Sequence, residues 1–359
     1  LGVRISDLRL LSKNMLQVGI VKHTLYLKNT INIVKKRIIL ILSIEDDPST
    51  TKVLRWLHYL DKSVRVVRLH PEDLAGASFA LTDIHSPLII QTKGIELCTS
   101  DIAVVWTRKW NNIPNADKYF RNNNLLKVKY DIIQNLKDEF SAFFRFFLYK
   151  ISDNNNVCWI DAPRTVVSNK LQQLLVAQKL GLIIPETYIG TSYKEGLPEK
   201  LISKHISDCF SLYMNKKIYT SYTCRAKLSP KEEFFVSMFQ SEIPKKIELR
   251  ILYVGGQCYG LAIFSQMNSK TRLDYRNYDY DCPVREEVYE IPVELEIKIS
   301  KLMCELDLQI GVLDFILSPE GEYIFLEVNP CGQYDNFNLC NIFPDRVIAQ
   351  YLLRKYYEH

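Results

Sequence analysis

The stretch GVLDFILSPEGEYIFLEVNPCGQY, Gly311 to Tyr334, decides how the rest of the chain is read. Two apolar, β-prone runs, Gly311–Leu317 and Tyr323–Asn329, flank Ser318-Pro319-Glu320-Gly321, which has the composition of a turn. The pattern predicts an antiparallel hairpin. Asp314 and Glu327 are equidistant from the midpoint between Glu320 and Gly321, so an even-membered loop sets them directly opposite each other. Glu327 and Asn329 are two apart and project from the same face. Three oxygen-bearing side chains then converge on one side of a ribbon. Their neighbours are Val312, Leu313, Phe315, Ile316, Phe325, Leu326 and Val328. Two carboxylates in such company desolvate and repel each other unless a cation lies between them. Carboxylate and amide oxygens suit a hard cation, and Mg²⁺ held with phosphates is the usual case. On the alternation alone, a solvated polar sheet face accounts for these residues equally well.

Working outward, the run Ile38–Ile44 suits a strand buried on both faces. Val64–Leu69 and Asp101–Trp106 are further strand candidates. Residues 51–60 and 124–150 carry apolar residues at helical spacing, the latter as an aromatic stripe that ends in Phe143, Phe144 and Phe147. A helix from Asn169 to Leu180 is expected to be capped by Ser168 and stopped by Gly181. Short strands are expected at Ile183–Ile189, Leu201–Lys204, Lys217–Tyr222, Cys224–Leu228 and Phe234–Phe239. Gly255-Gly256 joins Ile247–Val254 to Gln257–Ser265 as a hairpin. Helices are expected at Pro292–Leu306 and Asp345–Tyr357. This is α/β followed by α+β organisation: a basic extension over 1–37 with no role assigned, an α/β domain over 38–160, a small α+β domain over 161–239 and a C-terminal domain over 240–359.

The 359 residues are 47% apolar and 24% charged, an ordinary globular composition. Net charge is +5, but residues 1–37 hold eight basic side chains and one acid, so the remainder carries about −2 (5 minus 7). A near-neutral body disfavours nucleic acid as partner. No apolar run reaches the roughly 18 residues of a membrane span. Nine cysteines at scattered spacings, with no C-x-x-C pair, argue against a disulfide framework or structural zinc; reduced thiols in a cytoplasmic protein are expected.

Asp314, then FLEVNP (Phe325–Pro330), then Gly332-Gln333-Tyr334 resembles the metal-binding end of the ATP-grasp superfamily. More narrowly it resembles the ATP-grasp peptide maturases that crosslink ribosomally made precursor peptides, the microviridin-type or graspetide ligases. The tail Leu339-Cys340-Asn341 with Val347-Ile348-Ala349 leans to the grasp-with-spasm branch. The resemblance covers roughly residues 38–357. It implies an ATP-grasp fold with an N-terminal α/β pre-ATP-grasp domain, ATP and two Mg²⁺ ions as cofactors, and a leader-plus-core precursor peptide as partner. It leaves homo-oligomerisation open.

The resemblance also implies roles. Asp314, Glu327 and Asn329 take the metal. Lys170 and Lys204 reach the phosphates, although the expected Gly-rich loop after the second lysine is replaced by His205–Ser211, which has no glycine. Gln240, Glu242 and Ile243 match the hinge that reads adenine. Glu248 holds ribose hydroxyls, with Arg250 beside it. Arg276, and secondarily Arg272, approach the transferring phosphate, where a guanidinium matches phosphate oxygens. Trp106–Trp110 reads as core tryptophans around a solvated Arg108-Lys109, with ligand binding at a strand end as the alternative. The expected activity is activation of a peptide carboxylate as an acyl phosphate, captured by a Ser/Thr hydroxyl or a Lys amine. A RimK-like amino-acid or peptide ligase keeps the chemistry and changes the substrate. A degenerate nucleotide-binding regulator is the third reading, favoured by the glycine-free stretch.

Overall fold

A computed structural model describes residues 37–110, 129–153, 156–166, 169–207, 211–214, 217–220, 223–229 and 233–359. Residues 1–36, the helical start at 124–128, Asn154-Asn155, Ser168, Asp208–Phe210 and Ser221-Tyr222 lie outside the described residues.

The apolar run at Ile38 becomes β1 (Ile38–Leu42), buried at every position. It is followed by α1 (Pro48–Leu60), β2 (Arg65–Leu69), α2 (Pro71–Ala75) and a small antiparallel sheet of β3 (Ser78–Ala80), β4 (Ile89–Thr92) and β5 (Ile95–Cys98). Sequence reading missed that small sheet, whose strands have three or four residues and little alternation. Then come β6 (Ile102–Thr107), α3 (Lys129–Ser152) and β7 (Cys158–Ile160). Strands β2-β1-β6-β7 form a parallel sheet. Period-two alternation divides β1 between two cores. Ile39 and Ile41 pack with Val53 and Leu57 of α1, whereas Ile38, Leu40 and Leu42 face Phe144, Phe147 and Ile151 of α3.

The middle of the chain supplies α4 (Lys170–Lys179), β8 (Thr187–Ser192), β9 (Leu201–Lys204), the hairpin β10 (Ser211–Met214) with β11 (Lys217–Thr220), β12 (Cys224–Ala226) and β13 (Glu233–Ser241). Strands β12-β9-β13-β8 make an antiparallel sheet. Two expectations change. The cap of α4 is Asn169, whose side chain accepts from Gln172 N at 3.2 Å. The strand expected at Ile183–Ile189 begins only at Thr187; before it, Ile183 makes a lone parallel bridge to Ile324, because Pro185 has no N–H to donate.

The last third folds as β14 (Ile247–Val254), β15 (Gln257–Ile263), β16 (Glu286–Tyr289), α5 (Val293–Glu305), β17 (Ile310–Leu317), β18 (Tyr323–Asn329) and α6 (Pro344–Glu358). Sheet order is β16-β15-β14-β17-β18, with every described pairing antiparallel. One face, carrying Leu249, Ile251, Leu313, Phe315, Phe325 and Val328, packs on α4 and α5. The opposite face is split along its length. Leu252, Val254, Ile310 and Val312 join the core shared with β1, β6 and α6. Further along the same strands that face carries Glu248, Arg250 and Asp314, so an apolar half anchors the sheet and a polar half lines a cleft.

Candidate functional site: a polar cleft on the C-terminal sheet

The hairpin reaches the expected pairing by an unexpected route. Leu317 pairs with Tyr323 and Phe315 with Phe325, so the loop is odd-membered and centred on Glu320. Gly321 takes φ 90°, the left-handed position of a short hairpin loop. Extended unchanged, that register would set Asp314 opposite Leu326. A one-residue bulge between the two pairings restores Asp314 opposite Glu327 and Val312 opposite Asn329. It also explains how Phe325 and Val328, three apart, both reach the α4/α5 core while Glu327 faces away from it.

Asp314 is flanked on its other side by Arg250, which is paired with it across β14–β17. Arg250 Nη1 donates to Asp314 Oδ1 at 3.0 Å and to Tyr275 Oη at 2.5 Å, and Nη2 donates to Gln333 O at 2.6 Å. Glu327 Oε2 lies 3.2 Å from Lys170 Nζ. Burial, aided by the facing Glu327, pushes the Asp314 carboxyl up despite Arg250. Burial acts the same way on Glu327 but is outweighed by Lys170, Lys204 and Arg276, which hold its carboxyl down. Asn329 Oδ1 accepts from Cys331 N at 3.0 Å.

The cleft is open, with about 660 Å³ of empty space when its part open to solvent is counted. Nine of the twelve residues singled out in the sequence line it: Lys204, Gln240, Glu242, Ile243, Glu248, Arg250, Arg276, Asp314 and Glu327. Lys170 reaches it through Glu327. Its Nζ also donates to Ser207 O, and its N–H donates to Ile206 O at 3.0 Å, so the glycine-free stretch is tied to the start of α4. Asn329 shares the hairpin face of Asp314 and Glu327 without lining the cleft. Arg272 is not brought in: it is exposed, and its Nε donates to Gln266 O at 3.3 Å.

The remaining side chains are already ordered. Burial lowers the pKa of the Lys204 ammonium, against the pull of Glu327. Arg276 grips Asp274 in a bidentate pair at 2.9 and 2.7 Å. Burial opposes ionisation of Asp274, but that pair, with the Thr223 and Arg276 amides, holds its carboxyl at about 2. Glu248 accepts from Ser265 Oγ at 2.6 Å and lies 3.2 Å from Lys245 Nζ. Glu242 makes a two-pronged pair with Arg225, 2.7 Å each, and its N–H donates to Lys200 O. Gln240 Oε1 is buried with no hydrogen-bond partner among the described residues. Lys245, Asp274, Tyr275 and Leu326 also line it and were not singled out from sequence; Asp274 and Tyr275 adjoin Arg276, which was the available signal.

At the sheet's other end Arg108 corrects an expectation. It is buried, not solvated: Nε donates to Asp47 Oδ2 at 3.0 Å, Nη2 to Gly332 O at 3.2 Å, and the guanidinium lies 4.8 Å from the Tyr334 ring centroid. The strand-end position of β6 puts it against the segment that follows Asn329.

The donor set fits a hard cation: two paired carboxylates and an amide oxygen, ringed by ammonium and guanidinium groups suited to phosphates. Among the described residues no three His, Cys, Asp or Glu side chains cluster as a metal site, so any cation here relies on the amide or on ligand oxygens.

No family model matches the chain, and no curated protein matches it. Solved structures do. A RiPP-associated ATP-grasp ligase of Chryseobacterium gregarium, in complex with ADP and a leader and core peptide, superposes with TM-score 0.72 at 24% identity, covering 89% of this chain and 97% of that one. The macrocyclase MdnC of Microcystis aeruginosa, bound with precursor peptide MdnA, gives 0.67 at 24% identity over 88% and 99%. The ATP-grasp ligase PsnB with minimal precursor, Mg and ADP gives 0.66 at 16% identity over 93% and 99%. With the cleft geometry above, these likenesses establish that the chain has the ATP-grasp fold.

Proposed function

We propose that the chain is an ATP-dependent ligase that crosslinks a precursor peptide, joining a side-chain carboxylate to a Ser/Thr hydroxyl or a Lys amine. The observation that carries this reading is one cleft lined by Lys204, Arg276, Asp314 and Glu327 together with the Gln240–Glu248 segment. The peptide complexes among the similar structures support the substrate class. In this reading the cleft lies between a central domain over 161–239 and a C-terminal domain over 240–359, with 38–160 as the N-terminal domain.

Asp314, Glu327 and Asn329 would hold Mg²⁺, which supplies charge neutralisation for the ATP phosphates. Gln240, Glu242 and Ile243 hold the adenine, the orphaned Gln240 Oε1 accepting from its amino group, and Glu248 takes the ribose hydroxyls. Arg250, engaged by Asp314, Tyr275 and Gln333, lines the cleft beside Glu248 and orients the metal ligand. Lys170, Lys204 and Arg276 neutralise the phosphoryl oxygens, and ionised Asp274 keeps the guanidinium aimed. The peptide carboxylate attacks the γ-phosphorus, releasing ADP and leaving an acyl phosphate. The hydroxyl or amine then attacks the acyl carbon, loses its proton and expels phosphate. The peptide is lighter by one water for each bond.

No described helix is long and apolar enough to cross a membrane, and every described cysteine is free, as suits a reducing cytoplasm. The test is mass spectrometry of short peptides encoded beside the gene, rich in Thr, Ser, Asp, Glu or Lys, after incubation with enzyme, ATP and Mg²⁺. Loss of one water per bond with equal ADP release supports the reading. ADP release on free amino acids, with all such peptides unchanged, favours the amino-acid ligase instead.

A further inference from the structure

Among the described residues strand β18 is an edge of its sheet, so apart from the lone bridge to Ile183 its outward backbone groups have no strand to pair with. At Val328 a side chain takes the place of that strand. Gln173 Nε2 donates to Val328 O at 2.8 Å, and Val328 N donates to Gln173 Oε1 at 2.9 Å. The two bonds fix the amide's orientation, since a flipped amide would set donor against donor and acceptor against acceptor. Gln173 is only 4% exposed. Val328 lies between Glu327 and Asn329. Gln173 stands three residues after Lys170 on α4, hence on the same helix face, and Lys170 is the residue 3.2 Å from Glu327.

We infer that Gln173 is a positioning residue for the metal: its amide holds the backbone from which Glu327 and Asn329 project, in register with the Lys170 ammonium. This rests on the proposal that those residues hold Mg²⁺ with nucleotide. Lys170 alone could tether Glu327 but could not fix Asn329, whereas two hydrogen bonds to the backbone of the residue between them fix both. Residues that orient metal ligands typically change metal affinity about 10- to 100-fold when altered.

The experiment is calorimetric titration of the purified full chain with ADP, with and without Mg²⁺. The readout is the metal-linked gain, the ratio of the two dissociation constants. Gln173→Met keeps the volume and removes both hydrogen bonds. It is expected to cut the gain about 10-fold while leaving metal-free ADP affinity within about 2-fold of wild type. Leu174→Ala, in the apolar core on the same helix, is the structural control: it lowers the melting temperature and keeps the gain. If Gln173→Met does not fold, Gln173→Asn, which keeps the amide but shortens its reach, is read in the same way. A gain equal to wild type in the folded Gln173 variant overturns the inference. A wild-type chain with no metal-linked gain at all refutes the metal assignment itself.

Discussion

Asp161 follows β7 with φ 54° and is almost fully buried. Its Oδ1 accepts from Gln309 N at 2.7 Å and Ile310 N at 3.3 Å, starting β17 in place, while Oδ2 has no hydrogen-bond partner among the described residues. Burial pushes its carboxyl up to about 7. Because the folded value lies above the ordinary one, the fold keeps a proton that the unfolded chain releases. Its stabilisation is full below about pH 4 and is lost as pH rises to about 7. Relative to Asp161→Asn, the wild type should therefore lose on the order of 2–3 kcal/mol between pH 5 and pH 8. Urea unfolding at both pH values checks this; parallel behaviour of the two proteins contradicts it. Spacing about the hairpin turn made Asp314 and Glu327 legible in the sequence, and the family resemblance pointed to Lys204 and Arg276. Arg272 lies four residues before Arg276 in the same loop, but Asp274 grips Arg276 while Arg272 stays exposed. Gln173 left no such trace, because its role depends on a strand 155 residues away in the chain.

The β17–β18 hairpin was legible as an element, from its turn residues and its two apolar runs, but its register was not. The bulge at Leu326 has no sequence signature, since it is imposed by the need to bury both Phe325 and Val328 against α4 and α5. The turn after Asn329 is equally constrained. A Cβ on Gly332 would meet Val312 Cβ at 2.8 Å and Asn329 O at 3.2 Å. Val312 is β-branched and buried, so it cannot swing away. Gly332→Ala should cost about 1–3 kcal/mol and, by moving Asn329, weaken Mg²⁺-linked ADP binding. The urea midpoint and the calorimetric gain check both parts; a variant indistinguishable from wild type contradicts the close approach.

Across the whole molecule, the N-terminal parallel sheet and the C-terminal antiparallel sheet share one core, in which Ile39, Val104, Val254, Val312 and Leu352 meet. The Asp47–Arg108 pair sits where the two meet and reaches the Gly332 carbonyl. Arg108→Met should destabilise the protein by roughly 3–5 kcal/mol, because buried Asp47 loses its buried guanidinium partner; Asp47→Leu with Arg108→Met should recover much of that loss. Thermal unfolding of both variants checks it, and a mild single variant contradicts it. The layered α/β plan was legible from alternating runs. The burial of Arg108 was not, since its partners lie some 60 and 220 residues away.

The central claim is that Asp314, Glu327 and Asn329 form the Mg²⁺–nucleotide end of a working ligase. The most direct measurement is ADP formation by Glu327→Ala beside wild type, at saturating ATP and Mg²⁺ with a peptide that the wild type modifies. The account predicts a fall of at least about 100-fold with the fold intact by circular dichroism. ADP formation at the wild-type rate would contradict it.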